Sequence, residues 1–101
     1  MKAIGVVRRT VSADPRLDES TIRTLAAKRG YDLRGILTIH ADTYMPTALT
    51  VVTAIEQRAV AVLVPALKHL GGTEKEKAVA LACDVVTPRE TVRRTSDAGR
   101  G

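Results

Sequence analysis

Apolar and polar positions along this chain switch between two periods. Ala3 to Val7 (AIGVV) is a short apolar run with β-branched residues, ending in Arg8, Arg9 and Thr10, and it predicts a buried strand. Asp14-Pro15 supplies a capping carboxylate and a proline suited to a first helical turn. Leu17, Ile22, Leu25 and Ala26 then share one helical face, and Gly30 supplies the stop. Leu33 to Ile39 (LRGILTI) predicts a second strand, and His40 to Met45 a loop. Pro46 opens a second helix with Leu49, Val52 and Ile55 as its apolar face, and Thr47, Thr50 and Thr53 as a weakly polar outer face.

Ala59 to Val64 (AVAVLV) is the clearest strand, and its unbroken apolar run predicts burial on both sheet faces. Pro65 to Gly72 reads as a loop. Thr73-Glu74-Lys75-Glu76 has capping-box spacing and predicts a third helix to about Cys83. Asp84 to Thr87 reads as a short fourth strand. Thr87-Pro88-Arg89-Glu90 repeats the capping-box spacing and predicts a last helical turn to Arg94, with a flexible tail over 95–101. Strands alternating with helices imply right-handed crossovers. The expected fold is α/β: a three-layer sandwich with a mostly parallel four-stranded sheet in flavodoxin-like order 2-1-3-4, as one domain over 1–94.

Composition narrows the functional classes. The 101 residues suffice for one domain of ordinary size. With aromatic content at 2%, the core must be aliphatic, and binders that stack bases on ring platforms are excluded. The longest apolar run, Ala59 to Leu67, is far short of the roughly 20 residues that span a bilayer, so no membrane association is expected. Cys83 has no second cysteine to pair with and lies in an apolar stretch, which predicts a buried, inert thiol. The opening Met1-Lys2 leads straight into a strand rather than a signal segment, so the expected location is the cytoplasm.

Charge is unevenly placed. Residues 1–34 carry eight basic and four acidic side chains (+4), 35–86 four and five (−1), and 87–101 four and two (+2), for a net +5. Such a bias favours anionic partners, nucleic acid first, or else marks a solvated basic surface.

In open parallel sheets, ligands gather at the carboxyl ends of the strands where strand order reverses. Arg8, Arg9, Thr10 and Ser12 follow the first strand, His40, Asp42 and Thr43 the second, and Lys68, His69, Gly71 and Gly72 the third. With the first and third strands adjacent, Arg8, Arg9, Thr10, Lys68 and His69 form a candidate phosphate or nucleic-acid site: a hydroxyl ringed by cations. There is no Gly-rich phosphate loop, and His40, His69 and the single cysteine make no metal set, so no cofactor or metal is expected.

The opening, AIGVVRRTVSADPRLDESTIRTLAAKRGYDLRGIL, resembles the start of the serine recombinases, the resolvase and invertase group, and Leu67-Lys68-His69-Leu70-Gly71-Gly72 matches the frame of a later motif in that family. The resemblance covers roughly residues 3–72. It implies a resolvase-like fold and, in active members, a serine that attacks a DNA phosphodiester. Arg8 matches the family's first motif. Val6 stands in place of its tyrosine and Thr10 in place of the nucleophilic serine. Lys68, His69 and Gly72 replace an aspartate and two arginines. Losing one such charge-stabilising group commonly costs about 10²–10³ in rate. The resemblance therefore implies a shortened, inactive homologue that binds DNA or protein. The alternatives are a protein-interaction or dimerisation domain with no nucleic-acid ligand, and a residual strand-cleaving enzyme that uses Thr10 with Arg8.

Overall fold

The computed structural model describes residues 1–95. Five strands form one sheet in the order β2-β1-β3-β4-β5: β1 (Lys2–Arg8), β2 (Asp32–Ile39), β3 (Ala61–Leu63), β4 (Asp84–Val86) and β5 (Thr91–Val92). Pairings among β2, β1, β3 and β4 are parallel, and β5 runs antiparallel to β4. Helices α1 (Pro15–Arg29), α2 (Pro46–Glu56) and α3 (Thr73–Ala80) connect them, with a 3-10 turn at Leu67–Leu70. The expected tail falls mostly in 96–101, outside the described residues.

Alternation along β1 divides the core. Ala3 and Val7 face α1 through Ile22, Leu25 and Ala26, while Ile4 and Val6 face α2 and α3 through Ala54 and Val79. The sheet is thus covered on both faces. Ala61, Val62 and Leu63 of β3 are fully buried, as their apolar run predicts. Gly5 lets α1 approach closely: a Cβ there would lie 2.7 Å from Ile22 Cγ2. Asp14 caps α1, accepting a hydrogen bond from the Leu17 N–H, and Gly30 ends the helix at φ 75°.

Five expectations need correction. The sheet has five strands, not four, because Thr87-Pro88-Arg89-Glu90 closes a hairpin instead of starting a helix. The Thr87 hydroxyl oxygen accepts from the Arg89 and Glu90 N–H groups and donates to the Glu90 carbonyl, and the Thr87 N–H donates to the same carbonyl. The hydroxyl thus makes the bonds of a helix cap, but the Glu90 carbonyl turns back to the Thr87 N–H and Thr91-Val92 pairs with β4, so the chain reverses instead of continuing as a helix. The third strand is shorter than Ala59 to Val64. Helix α3 ends at Ala80 rather than near Cys83, and the residue before its first turn is Gly72, with no side-chain cap, so its capping box does not form.

The fourth correction concerns α2, which is turned the other way round. Thr50 and Ala54 are its buried residues, while Leu49, Val52 and Ile55 point to solvent. The small inner residues bring the helix close to the sheet, and the Thr50 hydroxyl donates to the Pro46 carbonyl within the helix. The fifth concerns α1: Leu17, expected on the apolar face with Ile22, Leu25 and Ala26, is exposed, and only the other three are buried. Cys83 is buried, and burial raises its thiol pKa, with Asp84 adding to the shift. Among the described residues, no helix is long and apolar enough to cross a membrane.

Candidate functional site

β1 has β2 on one side and β3 on the other, so the chain reverses its direction of sheet growth there, and the crevice between the exits of β1 and β3 is where an α/β sheet places a ligand. A concavity of about 270 Å³ lies at this point. Val11 and Leu17 form one wall and Pro65 and Ala66 the other, with Asp18, His69 and Lys68 between them.

The structure brings Arg8 and His69 together and turns both inward. The Arg8 backbone N–H donates to His69 Nδ1 at 2.9 Å. The Arg8 guanidinium donates from Nε to the His69 carbonyl at 3.0 Å and from Nη2 to the Leu70 carbonyl at 3.2 Å. Its charge-assisted donors thus cap the 3-10 turn. Gly71, at φ 100°, lies against the same guanidinium: a Cβ there would sit 2.8 Å from Nη2.

His69 is 2% exposed. Its Nδ1 accepts a backbone N–H and so carries no proton, which leaves the proton of the neutral ring on Nε2, 3.5 Å from Asp18 Oδ2. Burial holds the His69 pKa below its ordinary value. Asp18 opposes that effect, and Lys68 and Arg8 reinforce it. Asp18 Oδ2 also accepts a hydrogen bond from the Ser12 hydroxyl. The carboxylate stands between the hydroxyl and the imidazole, so neither ring nitrogen is aimed at Ser12 as a base. That order differs from a nucleophile–base–acid relay.

The other predicted residues lie outside this cluster. Arg9, Thr10 and Lys68 are exposed. Thr10 sits in the turn closed by the Val11 N–H bond to the Arg8 carbonyl, and Arg9 donates its backbone N–H to Ile39. Arg9 and Lys68 form no ion pair with a described residue. No cluster of three metal-ligating side chains occurs among the described residues. Sequence reasoning missed Asp18. Its spacing to Ile22 and Leu25 puts a carboxylate on the buried face of α1, and such a group needs a partner.

A second feature lies on the opposite side of the sheet from α1. Met45, Leu49, Val52 and Ile55 form an exposed apolar stripe along α2, with Tyr44 beside its start. Val52 is 49% exposed, Ile55 65% and Tyr44 84%. Between Asp42 and Glu56 there is no charged residue. A helix packed on one side only normally carries charged residues on the other. Comparison with protein-family models, curated proteins and solved structures finds no match to this chain.

Proposed function

We propose that the chain is a non-catalytic interaction domain, related to the catalytic domain of serine recombinases, that docks a protein partner through the outer face of α2. The observation that carries this reading is the uncharged apolar stripe Met45-Leu49-Val52-Ile55, four exposed large side chains on one helix, whereas Met1, Leu17, Val60 and Leu81 are exposed singly on separate elements. The crevice supports the non-catalytic half of the reading. Arg8 donates from Nε and Nη2 to two backbone carbonyls and His69 Nδ1 accepts the Arg8 backbone N–H, so both side chains are spent in part on holding the turn after β3. The test is affinity capture with the wild-type chain and the Ile55→Glu variant. A protein retained by the first and lost by the second supports the reading, and identical capture by both contradicts it.

A nucleic-acid reading draws on one observation, the exposure of Arg9 and Lys68 at the same end of the sheet. DNA binding at that end would weaken steeply with salt and with Arg9→Ala or Lys68→Ala. A gel-shift titration that shows no complex at low salt and micromolar protein removes it.

A further inference from the structure

We infer that the occupant of the α2 face is a second copy of this chain, packed antiparallel across a two-fold axis. The inference rests on the docking role proposed for α2 and names the partner. Three observations carry it: the spacing of the stripe, the charges at its two ends, and its size.

Ala48 is exposed beside Leu49 on the same face, and Met45, Ala48, Val52 and Ile55 follow the alternating three- and four-residue spacing of a helix–helix seam. An antiparallel copy centred on Thr50 sets Met45 opposite Ile55 and Ala48 opposite Val52. Each larger side chain then faces a complementary one, and the arrangement repeats itself under the two-fold, as an isologous interface requires.

The flanking charges select the same orientation. Asp42 precedes the uncharged stretch, and Glu56 and Arg58 follow it. Asp42 and Arg58 are exposed and pair with no described residue. In the antiparallel pair the Asp42 end of each helix lies beside the end of the other copy that carries Arg58. A parallel pair would set like charges together. The chain carries +5 overall, but Asp42, Glu56 and Arg58 sum to −1, so this face lets two copies approach without the repulsion of the basic surface.

Five large apolar side chains stand exposed on this face, from Leu49 at 38% to Tyr44 at 84%, and covering such a face on two copies reaches toward the lower edge of specific interfaces, about 1,000 Å².

Sedimentation equilibrium of the full chain from about 1 to about 200 µM tests the proposal. The expected result is a monomer–dimer equilibrium that Val52→Asp abolishes while the circular dichroism stays native, since Val52 is already half in solvent. Asp42→Arg and Arg58→Asp are each expected to weaken the dimer about threefold to tenfold, and the double exchange to restore it. A wild-type chain that stays monomeric at the highest concentration overturns the second-copy assignment. If Ile55→Glu still abolishes capture of a different protein, the docking role of α2 survives that result. If it does not, both fail. A dimer insensitive to Val52→Asp places the interface elsewhere and overturns the assignment as well.

Discussion

Arg8 and His69 hold each other from both directions: the Arg8 backbone N–H donates to the imidazole, and the Arg8 guanidinium donates back to the His69 carbonyl. This pair ties the end of β1 to the turn after β3, across 61 residues of chain. Removing either side chain leaves polar backbone groups without their partners. Arg8→Ala is expected to lower stability by about 1–3 kcal/mol, and Arg8→Lys to recover only part of it, because one ammonium cannot reproduce the forked contact with two carbonyls. Urea unfolding of the three proteins checks the order.

The protonation of His69 makes stability depend on pH. Its folded pKa lies below the ordinary 6.5, chiefly through burial, so the unfolded chain binds the proton more readily. The contribution is complete above about 6.5 and is lost as pH falls below that value toward the folded pKa. His69→Gln should flatten the stability profile in that window while lowering it at neutral pH. An unchanged slope below 6.5 would assign the acid sensitivity to other groups.

Close packing of α1 on β1 predicts a large effect from a small change. Gly5→Ala would place its methyl carbon 2.7 Å from Ile22 Cγ2 and 3.2 Å from Ile36 Cγ1. Overpacking of this kind costs about 1–3 kcal/mol. Ile22→Val in the Gly5→Ala background should return part of the loss, whereas Ile22→Val alone should destabilise. Thermal unfolding of the four proteins gives the coupling directly.

The Thr87 hydroxyl makes three hydrogen bonds that close the β4–β5 hairpin. Thr87→Val keeps the shape and removes all three. It is expected to cost about 1–3 kcal/mol and to speed amide exchange at Glu90, whose N–H loses its acceptor. Unchanged exchange there would mean that the hairpin is held by Val92 packing alone.

Thr10 sits in the exposed turn after β1, apart from the Ser12–Asp18–His69 group. The wild-type chain and Thr10→Ala are therefore expected to give the same background in a supercoiled-plasmid nicking assay. Cleavage lost on substitution would restore the enzymatic alternative.

Much of the architecture was legible from local chemistry. The apolar run in β3, the Asp14-Pro15 start and the Gly30 stop of α1 each have one strong physical reading, and the fold follows them. Elements with two competing readings were misjudged. Thr87 through Glu90 can cap a helix or close a hairpin, and only pairing with β4 decides between them. Helix α2 has bulky aliphatics on one side and threonines and alanines on the other, so neither side is polar enough to mark the solvent face. Close approach to the sheet selects the small side for the interior, which periodicity does not encode. The candidate site was legible as a place, since strand order alone brings Arg8 beside His69. The inward turn of both side chains depends on Asp18 and on the carbonyls of the 3-10 turn, and these meet only in the folded chain.

Met45 gives the most direct measure of whether the α2 face is an interface. Met45 and Met1 are both exposed in the isolated chain, so peroxide should oxidise them at comparable rates in dilute solution, with Met1 as an internal reference. Met45 is expected to become selectively protected as protein concentration rises, and Val52→Asp to remove the protection. Oxidation of Met45 in step with Met1 at every concentration, and also alongside any captured protein, would contradict an interface at α2.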